Sequence, residues 1–144
     1  MKILLLNGPN LNMLGVREPE KYGHVTLADI ESKIANLAAE QNIEVEAFQS
    51  NHEGEIIDKI QTTDADGMII NAGGFTHTSV AIRDAISAKS LPTVEVHMTN
   101  IHAREEFRHK SLISGVSIGQ VIGFKEKSYE FAFIGLIDYI KNCK

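Results

Sequence analysis

A carboxylate and an imidazole stand two residues apart in the sequence, at the end of a short apolar run. Glu95 and His97 flank Val96, and side chains at this spacing point to the same face of an extended segment. A carboxylate beside an imidazole fixes the orientation of the ring and favours its protonated form, which suits a general acid. The pair is therefore a candidate acid; the alternative is a hydrogen-bonded pair that only ends a strand.

A tyrosine and an arginine lie five residues apart in a polar segment that contains glycine and proline. Tyr22 follows Arg17 within residues 7–24, and so long a connection is typical of lids that close over ligands. A free phenol is ionised to only roughly one part in a thousand at pH 7, so half ionisation requires about 4 kcal/mol of preference for the phenolate. Guanidinium groups in a water-poor site can supply it. Tyr22 with Arg17 is thus a candidate base; the alternative is an ordinary loop aromatic.

A third polar group follows a later apolar run. Asn71-Ala72-Gly73-Gly74 combines an amide side chain with glycines that allow close backbone approach. His77 lies just beyond it, either in the same site or on the surface. Asp84 falls further along, where the spacing alone predicts a solvated helix residue.

Charge and composition exclude several classes of partner. The chain has 144 residues and a formal net charge of −5, whereas a nucleic-acid-binding protein needs a basic footprint. Three of its four arginines, Arg17, Arg104 and Arg108, fall in the polar segments 7–24 and 97–111. Forked, permanently charged groups placed in two loops predict a site for a small anion.

The same composition predicts one domain, residues 1–144, in a reducing compartment. About two-thirds of the unfolded chain's surface can be buried at this size, which suffices for a single core without disulfides or a structural metal. The single cysteine, Cys143, has no partner for an internal bridge, and no apolar run approaches the length of a membrane span. We expect a cytoplasmic protein with no membrane contact.

Known nucleotide and metal motifs are missing. The segment after the first apolar run has no G-x-G-x-x-G, and no phosphate-binding G-K-[ST] occurs. A zinc site would require four separate side chains to meet, without support from H-E-x-x-H or C-x-x-C: His77, Glu95, His97 and His102. We therefore expect no metal.

Short apolar runs alternate with segments of helical period, which indicates an α/β fold with a parallel sheet. Thr26 and Ser128 stand where N-caps are expected. The predicted strands lie near residues 3–6, 43–49, 67–70, 93–96 and 116–122, and the predicted helices near 26–41, 53–61, 80–86 and 128–140.

A doubly wound sheet of order 2-1-3-4-5, with helices on both faces, binds ligands beyond the carboxyl ends of strands 1 and 3. The residues after strands 1, 3 and 4 should then be rich in reactive groups, and those after strands 2 and 5 less so. Asn10, Asn71 and His97 fit this expectation, so the three strand ends are predicted to converge on one site.

Four blocks of the sequence together resemble type II 3-dehydroquinate dehydratases. They occur in order over nearly the whole chain: Asn7-Gly8-Pro9-Asn10-Leu11-Asn12; Arg17-Glu18-Pro19 with Tyr22-Gly23; Asn71-Ala72-Gly73-Gly74 with Thr76-His77-Thr78-Ser79; and Glu95-Val96-His97 with His102-Ala103-Arg104-Glu105-Glu106-Phe107-Arg108. The resemblance implies a flavodoxin-like fold, conversion of 3-dehydroquinate to 3-dehydroshikimate and water in the shikimate pathway, no cofactor, and a homododecamer built as a tetramer of trimers.

The resemblance also implies roles for individual residues. Tyr22 would be the proton acceptor, assisted by Arg17, and His97 the proton donor, oriented by Glu95. Asn10 would help to stabilise the enolate. Substrate binding would fall to Asn71, His77, Arg108, the backbone of Met98 and Thr99, and Asp84, which in this family reaches the site of a neighbouring subunit.

Departures from the family pattern are modest and lie mostly in residues 110–126. Met98-Thr99 stands where Ile-Ser or Leu-Ser is more frequent, and Lys110 precedes Ser111. A flavodoxin-like module that binds a nucleotide or flavin is the alternative from another class. Pro9 and the bulky Leu11 fit a phosphate-binding backbone nest poorly.

Overall fold

The computed structural model describes residues 1–16 and 18–143, with the backbone only at Lys21 and Tyr22. Within these residues five strands form one parallel sheet in the order β2-β1-β3-β4-β5, as the sequence predicted. The strands are β1 (Lys2–Asn7), β2 (Glu44–Gln49), β3 (Gly67–Asn71), β4 (Thr93–His97) and β5 (Gly119–Ile122).

Five α-helices connect or flank the strands in the described residues. They are α1 (Pro19–Tyr22), α2 (Leu27–Ala39), α3 (Glu53–Thr62), α4 (Val80–Lys89) and α5 (Lys127–Asn142). Short 3₁₀ turns occupy Leu11–Met13, Gly73–His77, Ile101–Ala103, Glu106–Arg108 and Ser114–Val116.

The alternation of side chains along β1 divides the core into two layers. Ile3 and Leu5 pack against α2 and α5 on one face of the sheet, whereas Leu4 and Leu6 pack against α3 and α4 on the other. All four side chains have no exposed surface, because β1 lies in the interior of a parallel sheet that helices cover on both faces. The sequence predicted this arrangement.

Helix starts show where local signals succeed and where they fail. Thr26 caps α2 as predicted: its hydroxyl accepts from the Asp29 N–H at 3.1 Å, and Asp29 returns a bond to the Thr26 N–H. The prediction of Ser128 as an N-cap is wrong, because α5 begins at Lys127 and the Ser128 hydroxyl accepts from the Phe124 N–H behind it. The last strand is also shorter than predicted, since a 3₁₀ turn takes up Ser114–Val116.

Candidate active site

Three strands end in polar residues at one edge of the sheet. Asn7, Asn71 and His97 are the last residues of β1, β3 and β4, and Asn7 is the register partner of Asn71. The sequence placed the two asparagines just beyond their strands. In the structure β1 and β3 are each one residue longer and include them. Because neighbouring parallel strands end together, these side chains converge, as the predicted strand order required.

A cavity of about 120 Å³ lies at this edge. It is lined by seven of the residues that the sequence singled out: Asn10, Asn71, His77, His97, Met98, Thr99 and Arg108. Seven others complete its wall: Pro9, Leu11, Leu14, Gly73, Gly74, Ile101 and Arg104. No carboxylate of the described residues lines the cavity. Its charged side chains are therefore cationic, which favours an anionic ligand.

The Glu95–His97 pair has the geometry that its spacing predicted. His97 Nε2 lies 2.6 Å from Glu95 Oε1, and the Glu95 side chain is fully buried while that of His97 is 8% exposed. Burial raises the pKa of Glu95, but the hydrogen bonds and charge of His97, with bonds from Ser111 and Gln120, outweigh burial and hold that pKa below its ordinary value. The carboxylate therefore stays ionised and accepts the Nε2 proton, which leaves Nδ1 as the ring nitrogen of His97 that can face a ligand.

His77 stacks beside His97 with its ring centroid 6.3 Å away. Its Nδ1 lies 2.8 Å from the Lys110 carbonyl oxygen. Burial lowers the pKa of His77, and the charges of His97 and Arg108 lower it further, against the opposing effects of the Lys110 carbonyl and Glu95. His77 is therefore neutral near pH 7.

The orientation of the Asn71 amide follows from one fixed donor. The Gly73 N–H donates to Asn71 Oδ1 at 3.1 Å, so Asn71 Nδ2 faces Tyr129 and donates to its hydroxyl at 2.9 Å. The Tyr129 hydroxyl in turn donates to Asn7 Oδ1 at 2.6 Å. Tyr129 has no exposed surface, so α5 links the ends of β1 and β3 by a directed chain of hydrogen bonds that starts at the cavity wall and ends at Asn7.

The loop after β1 is held close to the loop after β3. A Cβ on Gly8 would lie 2.6 Å from the Ala72 carbonyl oxygen, so only glycine fits there. Asn10 has a left-handed φ of 70°, and its N–H donates to Asn51 Oδ1 at 2.9 Å. Asn51 follows β2, whose end therefore contributes support to the site, although the sequence analysis expected little from it.

Backbone donors and cations line the side of the cavity that follows β4. The N–H groups of Met98 and Thr99 have no hydrogen-bond acceptor within the described part of the chain. The Arg104 guanidinium donates to Thr99 Oγ1 at 3.3 Å. Arg108 Nε donates to Glu105 Oε2 at 2.6 Å, which orients its guanidinium at the cavity wall. Arg104 and Arg108, two of the arginines whose placement predicted an anion site, thus both lie at the cavity wall.

Of the remaining predicted site residues, the described structure places the side chain of Asp84 but not those of Arg17 and Tyr22. Arg17 is outside the described residues; Tyr22 ends α1, and its side chain is also outside the description. Asp84 lies on α4 with a side chain that is 65% exposed, ion-paired to Arg83 and away from this cavity. Its proposed role in a neighbouring subunit stays a prediction.

Two further features bear on other site classes. Within residues 1–16 and 18–143 no group of three or more histidine, cysteine, aspartate or glutamate side chains is placed to hold a metal ion. In the same residues no helix has both the length and the hydropathy needed to cross a membrane.

Residues 115–119 spell G-x-S-x-G, the pattern of hydrolase nucleophile elbows. An elbow places its serine on a strained turn from strand to helix. Here Ser117 precedes β5 with an unstrained φ of −101°, and its hydroxyl donates to the Ile113 carbonyl. The pattern is therefore not an elbow.

Comparison with known proteins agrees with this geometry. A family model described as "Dehydroquinase class II" matches residues 1–137. The chain is 53% identical over 146 aligned positions to a 3-dehydroquinate dehydratase of Prochlorococcus marinus (strain MIT 9515), with 100% of each chain covered. It is 59% identical over 133 positions to a 3-dehydroquinate dehydratase of Endomicrobium trichonymphae, covering 91% of this chain and 93% of that one.

The fold is similar to that of a solved relative. The type II dehydroquinase of Butyrivibrio crossotus DSM 2876 superposes with a TM-score of 0.92 at 48% identity, covering 95% of this chain and 97% of the other. A family match over residues 1–137, with relatives more than half identical over nearly their whole length, shows that this chain belongs to the class II dehydroquinase family.

Proposed function

We propose that this protein dehydrates 3-dehydroquinate to 3-dehydroshikimate and water. The observation that carries the proposal is the buried His97–Glu95 pair at 2.6 Å, beside a cavity whose described charged lining is cationic. Removal of water next to a ketone needs a base for a carbon-bound proton and an acid for the departing hydroxyl. The names of the relatives and the family match support this reaction.

His97 is the proposed acid. Its Nε2–H is committed to Glu95, so the proton for the leaving hydroxyl must be carried on Nδ1. When the C–O bond breaks, its electrons leave with oxygen, the Nδ1 proton completes water, and the ring becomes neutral. Glu95 keeps the ring orientation constant through this change, because its carboxylate accepts from Nε2 in both states.

Tyr22 is the proposed base, and Arg17 its activator, on the strength of the resemblance. The phenolate takes the proton from the carbon next to the ketone, and the electrons move to the carbonyl oxygen as an enolate. Asn10, at the cavity wall in its left-handed conformation, is placed to help stabilise that oxygen. The collapse of the enolate forms the carbon–carbon double bond as the hydroxyl leaves.

Substrate binding is assigned to groups that the cavity brings together. The N–H groups of Met98 and Thr99, which have no acceptor among the described residues, suit a carboxylate. Asn71, His77 and Arg108 supply further bonds to hydroxyl or carboxylate oxygens. Asp84 would act from a neighbouring subunit in a homododecamer, a tetramer of trimers, and the reaction would take place in the cytoplasm as part of the shikimate pathway.

The test is a direct assay with the proposed base removed. Metal-free protein mixed with 3-dehydroquinate at neutral pH should produce the ultraviolet absorbance of a conjugated product. Tyr22→Phe should lower kcat by about 10³-fold or more, because general bases contribute about 10²–10⁴-fold, while substrate binding measured by calorimetry persists. Near-normal turnover of Tyr22→Phe would contradict the phenolate base. A wild-type protein that forms no conjugated product would contradict the proposed function.

The flavin or nucleotide module of the sequence analysis is not favoured. The loop after β1 contains Pro9 and buried Leu11 in place of a phosphate-binding nest. A purified protein with bound flavin would be yellow, so its absorbance spectrum separates the two functions.

A further inference from the structure

The segment of residues 110–114 contacts His77 directly and His97 through Glu95, yet it does not line the cavity. The Leu112 N–H donates to the Thr76 carbonyl at 2.9 Å, next to His77. Ile113 is fully buried in the core layer that contains α3 and α4. A backbone bond and a buried side chain thus hold this segment in place.

The first contact of the segment determines which nitrogen of His77 carries its proton. The Lys110 carbonyl oxygen, 2.8 Å from His77 Nδ1, can only accept a hydrogen bond. In the neutral ring Nδ1 must therefore carry the proton, and Nε2 has only its lone pair. His77 can offer a ligand an acceptor and no donor.

The second contact determines the state of Glu95. The Ser111 hydroxyl oxygen accepts from two backbone donors, the N–H groups of Ile113 at 3.1 Å and Ser114 at 3.0 Å. Its single proton is therefore free to donate to Glu95 Oε1, which lies 2.8 Å away. The same oxygen accepts from His97 Nε2 at 2.6 Å. Ser111 therefore orients the Glu95 carboxylate, which in turn orients the His97 ring.

We propose that the Lys110–Ser111 dipeptide is a positioning element that fixes which ring nitrogen carries the bound proton in each of the two stacked histidines, Nδ1 in His77 and Nε2 in His97. The Lys110 carbonyl holds the proton on Nδ1 of His77 and leaves its Nε2 for a ligand, whereas Ser111, acting through Glu95, holds a proton on Nε2 of His97 and leaves its Nδ1 for a ligand. One turn of backbone therefore distinguishes two side chains of the same type whose rings are 6.3 Å apart. This proposal rests on the proposed function for its effect on turnover, but not for its geometry.

Kinetics of Ser111→Ala test the Ser111 half of the proposal. We expect kcat to fall by about 10-fold or more, because Glu95 loses a hydrogen bond to a charged group and orients His97 less firmly, while KM changes less than about threefold because proton delivery is affected more than ground-state binding. Ser111→Thr keeps the hydroxyl and should restore most of kcat. Ser117→Ala is the matched control: its hydroxyl donates only to the Ile113 carbonyl in the same stretch of chain, and it should leave both constants unchanged.

The pH titration of Glu95 adds a second measurement. The groups that face Glu95 are His97 from its own strand, Gln120 from β5 and Ser111. Loss of the Ser111 bond removes one of the contacts that lower the pKa of Glu95, so the Glu95 carboxyl, followed by ¹³C nuclear magnetic resonance, should titrate at higher pH in Ser111→Ala and not in Ser117→Ala. An equal loss of kcat in the two variants, or an unmoved Glu95 titration with no rescue by Ser111→Thr, would show a merely structural role.

Nuclear magnetic resonance of the wild-type protein tests the geometry without any assay. Long-range proton–nitrogen correlations of ¹⁵N-histidine protein distinguish the two neutral ring forms, and resonances are assigned with His77→Gln and His97→Gln. His77 should be protonated on Nδ1, and His97 should hold a protected Nε2 proton that exchanges faster in Ser111→Ala. A His77 ring protonated on Nε2 would overturn the proposal even in an active enzyme, and the expected spectra in an inactive protein would leave it standing while the proposed function fails.

Discussion

Glu95 is a charged residue without exposed surface, and its neighbours determine whether it remains charged. Its Oε1 accepts from His97 and Ser111, and these bonds outweigh the burial that raises its pKa. A lowered pKa in the folded state means that the ionised carboxylate stabilises the fold above the unfolded value near 4.5 and that this stabilisation is lost as the pH falls through the lower, folded value.

Glu95→Gln should therefore change how stability depends on pH. At neutral pH we expect the variant to lose about 2 kcal/mol of unfolding free energy, the usual size for hydrogen bonds to a charged group. The difference from wild type should shrink as the pH falls below 4.5. Denaturant titrations at several pH values measure it, with Glu44→Gln, an exposed carboxylate of β2, as the control for removal of a charge. A difference that does not vary with pH would contradict the lowered pKa.

For individual residues, the sequence predicted which site side chains form a pair, but not which distant residues hydrogen-bond to them. The spacing of Glu95 and His97 was sufficient to predict their contact, because alternation along a strand fixes which side chains share a face. Ser111 and Tyr129 reach the site across 16 and 58 residues of chain respectively. No local pattern connects residues so far apart, so only the packed fold shows that they act together.

Among the elements, the loops after β1 and β3 depend on close backbone approach. A Cβ on Gly8 would meet the Ala72 carbonyl oxygen, and a Cβ on Gly73, whose φ is +56°, would meet that of Pro9 at 2.9 Å. Both glycines lie between the strand ends and the cavity. The two loops therefore fit together only without side chains at these positions.

Gly8→Ala and Gly54→Ala should have effects of opposite sign. The first forces a methyl group against backbone, so we expect a loss of about 2 kcal/mol or more in unfolding free energy together with weaker substrate binding. The second adds a methyl group in open space at the start of α3 and should stabilise by up to about 1 kcal/mol. Thermal unfolding and KM measured side by side would test both; a harmless Gly8→Ala would show that the loops can separate without loss.

The predicted start of a helix is confirmed where residues close in sequence determine it. The hydroxyl of Thr26 and the carboxyl of Asp29 form a complete capping box at the start of α2. Ser128 offered the same type of hydroxyl, but its complete burial against the turn at Phe124 gave that hydroxyl a different partner. Tertiary contact, which the sequence does not display, overrode the local preference.

For the whole molecule, the predicted neighbour role of Asp84 is testable by mixing. Tyr22→Phe and Asp84→Asn subunits should each have little activity alone. If Asp84 serves the site of another subunit, random mixed oligomers would place an intact Tyr22 and an intact Asp84 together in about a quarter of the sites. Activity should then reappear after the two are unfolded and refolded together, and not when they are refolded separately. If no activity recovers, Asp84 acts in the site of its own chain or has no role in the reaction.

The mass of the assembly in solution is a second test of a site shared between subunits. Sedimentation of the wild-type protein should give about twelve times the 15.9 kDa of one chain, as the family resemblance implies. A monomer with full activity would contradict a site shared between subunits.

The burial of Tyr129 has a consequence for spectroscopy. The protein has three tyrosines and no tryptophan, and burial raises the pKa of Tyr129 well above its ordinary value. Tyr129 therefore stays un-ionised at pH values at which an exposed tyrosine ionises, and it contributes no phenolate absorbance there. With Tyr139 replaced by phenylalanine, phenolate absorbance of the folded protein in that pH range would come from Tyr22. The absorbance spectrum would then report directly on the ionisation of the proposed base.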